Sequence, residues 1–89
     1  MTIIVVDAYA WIEYFDGTTI GEKVKRVIED ANNVIFTNVI TLAELASIFT
    51  RKNKNYEEAK KIILSRSSFY EVNMNFTEEV GKLHAELKK

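Results

Sequence analysis

The sequence predicts an α/β fold: a short parallel sheet in the strand order 3-2-1, flanked by helices in a three-layer arrangement. Three observations carry this. Thr2-Ile3-Ile4-Val5-Val6 is an unbroken apolar, mostly β-branched run, the pattern of a strand covered on both faces rather than the alternation of a half-exposed one. Two more strand-like runs follow, at 34–37 and 69–72. Each is separated from the strand before it by helical periodicity, and strands joined by helical crossovers lie parallel.

Taken in order, strand 2–6 leads into a short helix over 8–15 that ends at Asp16-Gly17. A second helix is expected over 22–30, with Val24, Val27 and Ile28 on one face. Asn32-Asn33 breaks it before the strand at 34–37. A third helix is expected from Thr41 to Lys52, then a polar break at Asn53-Lys54-Asn55 and a fourth helix with Ala59, Ile62 and Ile63 on one side. The strand at 69–72 precedes a last helix, capped by Thr77 and carrying Val80, Leu83, His84 and Leu87 on one face. The order β-α-α-β-α-α-β-α leaves the first strand at an edge, although its composition suits an interior. Either the sheet continues past Lys89 or a partner covers that edge.

The chain has 89 residues and reads as one domain, 1–89, with a modest core. It contains no cysteine, which excludes a disulfide framework and thiolate metal sites. No apolar run is long enough to span a bilayer, and Met1 leads into a strand without a basic leader, so a cytoplasmic protein is expected. The net charge of −1 is unevenly spread. Residues 1–50 hold three basic and seven acidic side chains, whereas 51–66 hold six basic and two acidic. Arg51, Lys52, Lys54, Lys60 and Lys61 could attract an RNA backbone, or could simply form a solvated helix face.

Asp7 stands at the carboxyl end of the first strand, where ligands of open α/β sheets bind. Its carboxylate suits a hard cation such as Mg²⁺ or Mn²⁺; equally, it suits the cap of the following helix. Glu44 also reads two ways. Thr41-Leu42-Ala43-Glu44 fits a capping box, yet the second strand delivers this helix start to the same sheet edge as Asp7. Two carboxylates from separate strand–helix junctions favour a metal site. His84 reads as a packed residue, and Ser47 as a small residue easing helix packing or else a minor site residue. Trp11, Tyr14 and Phe15 crowd the first helix, with Trp11 and Phe15 four apart on one face, and read as core packing or a partner groove rather than a base-stacking surface.

In Val5-Val6-Asp7-Ala8 and Thr37-Asn38-Val39-Ile40-Thr41-Leu42-Ala43-Glu44-Leu45, and in its order of elements, the chain resembles the PIN-domain family, in particular the VapC-like toxin ribonucleases. The resemblance implies a Mg²⁺- or Mn²⁺-dependent endoribonuclease of a toxin–antitoxin system, with Asp7 and Glu44 at the family's first two acidic positions as metal ligands and catalytic residues. It implies an RNA substrate, a cognate antitoxin and a homodimer or higher oligomer. The family's third and fourth acidic positions, on a later helix and strand, have no counterpart before Lys89, and Ala8 stands where a small hydroxyl residue is often found. Glu13, Asp16, Glu78, Glu79 and Glu86 do not match those positions. The resemblance therefore implies an amino-terminal portion, incomplete relative to the family. The alternative is a catalytically inactive, truncated module that works through protein–protein association.

Overall fold

In the computed structural model, residues 1–70 are described. They form β1 (Thr2–Val5), α1 (Ala8–Asp16), α2 (Thr19–Glu29), β2 (Asn33–Asn38), α3 (Val39–Arg51), α4 (Tyr56–Arg66) and β3 (Ser68–Tyr70). The strands make one parallel sheet in the order β1-β2-β3. Thr2 pairs with Asn33 and Val5 with Phe36; Phe36 in turn pairs with Ser68 and Asn38 with Tyr70. The expected class, parallel pairing and strand order are all observed. The helix expected with Thr77 and His84 falls on residues outside those described.

Side-chain alternation along the paired strands separates the sheet's two faces. Ile4, Val6, Ile35, Thr37 and Phe69 share one face, and there the core assembles. Trp11 of α1, Ile28 of α2, Leu45 and Phe49 of α3, and Ala59 and Ile63 of α4 are buried in a single cluster with Val6 and Ile35. The rings of Trp11 and Phe15 stack at 5.9 Å, and Phe15 meets Phe49 edge-on at 5.9 Å, which ties α1 to α3. Trp11 and Phe15 are thus core residues, as their spacing suggests. Ile3, Val5, Val34, Phe36 and Tyr70 share the other face, where Phe36 and Tyr70 meet edge-on at 6.3 Å. Val5 is 52% exposed at the sheet's edge.

Local chemistry sets the helix ends, and two of them differ from expectation. α2 begins at Thr19, three residues before Glu22, because the Thr18 hydroxyl accepts from the Gly21 N–H and donates to the Glu13 carboxylate. A Cβ on Gly21 would overlap the Glu13 carbonyl oxygen, so glycine is what lets α2 approach α1. α3 begins at Val39, directly after β2, with Asn38 as its cap. The capping box at Thr41 is therefore corrected: Thr41 is buried inside the helix, and the Asn38 side chain has already satisfied the exposed amide of Ile40. Ser47 is exposed and eases no packing. Gly17 ends α1 in the left-handed conformation (φ 65°), with its N–H donating to the Glu13 carbonyl. Of the residues expected on the buried faces of α2 and α4, Val27 and Ile62 are instead each 39% exposed.

Candidate active site

β1 and β2 are adjacent and parallel, so their carboxyl ends open side by side on one edge of the sheet. The Val6 N–H donates to the Phe36 carbonyl at 3.0 Å, extending the ladder by one residue. The next residue is Asp7, which leaves the strand on the same edge of the sheet where Asn38 ends β2. Each of the two caps a helix. Asp7 Oδ1 accepts from the Ala10 N–H at 2.8 Å, and Asn38 Oδ1 accepts from the Ile40 N–H at 2.8 Å. The amino ends of α1 and α3 thus sit together on this edge, and their dipoles favour an anion there.

Asp7 has the capping role that its position allows. That role occupies one carboxylate oxygen and leaves Oδ2 for another partner. Glu44 lies six residues beyond Asn38, about 9 Å along the axis of α3, and is exposed. Thr41, Leu45 and Phe49 turn into the core, whereas Ile40, Glu44, Ser47 and Arg51 follow one another along an exposed stripe. Freed from capping, the Glu44 carboxylate has no hydrogen bond or ion pair among the described residues.

The five basic residues lie elsewhere. α1 and α3 both start at the carboxyl edge and run away from it, so Arg51, Lys52 and Lys54 gather at their far ends. Lys54 Nζ pairs with Asp16 at 3.0 Å, where α1 finishes. Arg51 is about 10 Å along α3 from Glu44, on the same stripe. Lys60 is partly buried and Lys61 is exposed, both on α4.

Two residues at the edge escaped the sequence reading. Asn38 was hidden by the capping-box pattern three residues later. Tyr9, in the first turn of α1, is 80% exposed, although it belongs to an aromatic-rich segment that reads as core. The helical phase is the signal that reveals it. Ala8 and Trp11 point inward, so Tyr9 falls on the other side.

A metal ion at this edge would meet hard oxygen donors. Mg²⁺ commonly takes one or two carboxylates, keeps several waters and completes its shell with substrate phosphate oxygens. The free Oδ2 of Asp7 and the exposed Glu44 carboxylate fit that limited demand. Among the described residues no group of three or more histidine, cysteine, aspartate or glutamate side chains could hold an ion.

The parallel α/β sheet thus carries one carboxylate, Asp7, at the end of β1 and a second, Glu44, exposed on the helix that follows β2. The family model for the PIN domain matches residues 4–89, and the chain belongs to the PIN-domain family. PIN domains are nuclease-type proteins that generally use divalent metals, bind RNA and often bind antitoxins. Comparison with curated proteins and with solved structures gives no match. No helix among the described residues is long and apolar enough to cross a membrane.

Proposed function

We propose that this chain carries the metal-binding edge of a Mg²⁺- or Mn²⁺-dependent endoribonuclease of the toxin–antitoxin type, acting in the cytoplasm, with Asp7 and Glu44 as metal ligands. One observation supports this above all. In a chain of this family, Asp7 stands at the opening of β1, and Glu44, exposed on the helix that follows the adjacent β2, has no structural bond to explain it. A bound divalent ion supplies Lewis-acid stabilisation of the scissile phosphate and lowers the pKa of an attacking water. The protein's own part is positional. The Ala10 N–H fixes the Asp7 carboxylate on the edge, and α3 presents Glu44 on its exposed stripe. The amino ends of α1 and α3 favour the incoming phosphate, and Arg51 continues the path for the RNA backbone, with Lys52, Lys60 and Lys61 beyond it. Lys54, paired with Asp16, contributes least.

The test is cleavage of RNA by the full chain with Mg²⁺ or Mn²⁺, with and without chelator, for the natural sequence and Glu44→Gln. Metal-dependent cleavage that disappears in the variant is expected. Cleavage that persists unchanged in Glu44→Gln sinks the assignment.

A second reading is favoured by the exposed edge of β1, where Met1 is 88% and Val5 is 52% exposed. It describes a non-catalytic module that associates through this apolar edge, with itself or with an antitoxin. It predicts neither cleavage nor metal binding, and a dimer that persists on dilution; a folded monomer at high dilution counts against it.

A further inference from the structure

Two side chains of different chemistry cap the helices that open on the carboxyl edge. Asp7 caps α1 and Asn38 caps α3, each two residues beyond the Val5–Phe36 pairing. Aspartate, asparagine and serine cap a helix about equally well, so capping alone does not call for an amide. The difference is in what each cap has left to offer. Asp7 keeps an acceptor, the free Oδ2. The Ile40 N–H needs an acceptor, so Asn38 turns Oδ1 towards it. That fixes the amide's orientation and leaves both Nδ2 hydrogens as donors. Nδ2 has no hydrogen-bond partner among the described residues. Asn38 is half-buried, yet no buried side-chain polar atom among those residues lacks a partner, so Nδ2 reaches solvent. Asn38 also ends the middle strand of the sheet, where it pairs with Tyr70 of β3. The edge thus carries an acceptor for a cation from one strand and a pair of donors for an anion from the next.

We propose that Asn38 is a phosphate-binding residue of the candidate active site, its Nδ2 donating to a non-bridging oxygen of an RNA phosphate at the carboxyl edge. The inference rests on the RNA-cleaving function proposed above and assigns a substrate contact that the carboxylates cannot make. Asp7 and Glu44 are anionic and repel a phosphodiester. A lysine or arginine in place of Asn38 would compete with a metal ion for the same carboxylates. A neutral amide binds phosphate and leaves the carboxylates to the ion. The amino end of α3, which Asn38 caps, turns its dipole to the same anion.

The experiment measures binding of the full chain to a fluorescein-labelled RNA by anisotropy without divalent ions, and Mg²⁺ binding by titration calorimetry. Asn38→Ser keeps the cap and removes both donors. Its melting curve is expected to match that of the natural chain, with RNA affinity roughly ten- to a hundredfold lower. The loss is expected to be the same at every salt concentration, because a neutral amide releases no counterions. Asn38→Asp also keeps the cap, but puts an acceptor and a charge where the donors were. It is expected to bind RNA more weakly still and Mg²⁺ more tightly. Asn55→Ser makes the same exchange at the cap of α4, beyond the far end of α3, and should leave RNA affinity unchanged. If Asn38 only caps α3, Asn38→Ser binds RNA as the natural chain does. That result overturns the proposal while leaving metal-dependent cleavage in place. An equal loss in Asn38→Ser and Asn55→Ser also overturns it, because the effect then comes from helix stability. A natural chain that neither binds nor cleaves RNA overturns the nuclease reading, and this inference with it.

Discussion

The indole N–H of Trp11 donates to the hydroxyl of Thr37 across 3.2 Å, joining the first helix to the middle strand where both residues are fully buried. The bond is one step of a chain. Thr37 Oγ1 is also 2.8 Å from the Ser67 hydroxyl, which donates to the Ile63 carbonyl at 2.8 Å. α1, β2 and the end of α4 are locked together through a single threonine, and among the described residues no buried side-chain polar atom is left without a partner.

Thr37→Val removes the acceptor of the Trp11 N–H while keeping shape. It is expected to cost about 1–3 kcal/mol, the penalty of an unmade buried hydrogen bond. Thr37→Ser retains the hydroxyl and should cost less. Urea denaturation followed by Trp11 fluorescence measures both, and equal midpoints for Thr37→Val and the natural chain would show that the bond contributes nothing.

Asp7 has two roles that substitution can separate. Asparagine caps helices as well as aspartate does, so Asp7→Asn is expected to leave stability within about 0.5 kcal/mol of the natural value while abolishing metal-dependent cleavage. Asp7→Ala removes both roles and is expected to cost about 1 kcal/mol as well. Thermal melts and cleavage assays on the pair provide the check. Full activity in Asp7→Asn rules out the carboxylate as a ligand.

The contact between α1 and α2 depends on a missing methyl group. Gly21→Ala drives a Cβ into the Glu13 carbonyl, and is expected to destabilise by about 1–3 kcal/mol or more as backbone shifts to make room. Gly17→Ala meets no atom within 4 Å and suffers only from its left-handed backbone, which costs about 1–2 kcal/mol. Chemical denaturation of the two variants should rank Gly21→Ala as the worse.

One pH effect is expected at the alkaline end. Burial, with a smaller push from Glu57, raises the Tyr56 hydroxyl above its ordinary value of 10.0. The folded state therefore keeps the proton longer than the unfolded one. The resulting stability is complete below the ordinary tyrosine range and is lost as pH rises through the raised value. Tyr56→Phe should flatten the alkaline decline in melting temperature. An identical slope in the variant would argue against this group as its source.

Much of the architecture was legible because it rests on local pattern. The apolar run before Asp7 is the first strand, Asp16-Gly17 does end α1, and Asn53-Lys54-Asn55 does separate α3 from α4. What local pattern hid was set by contacts from elsewhere. Thr19 and Gly21 look like loop residues until the close approach of α1 draws them into α2. Thr41 and Glu44 mimic a cap because nothing local reveals that β2 runs to Asn38 and turns into helix at the next residue. At the site, Asp7 and Glu44 were visible as acidic residues in suggestive places. That Glu44 is freed from capping and that Tyr9 faces outward emerged only once the helical phase against the core was fixed.

The order of the strands in space is also their order in the chain, and this bears on how the fold is reached. Each pairing closes a loop of about thirty residues, from Thr2 to Asn33 and from Phe36 to Ser68. No strand among those described has to wait for a distant segment to insert beside it. During synthesis, β1, α1, α2 and β2 can assemble as a unit once Asn38 has left the ribosome, and β3 then docks on a surface already made. The buried polar chain through Thr37 is completed only by Ser67, so the hydroxyl that holds Trp11 also latches the segment leading into the third strand.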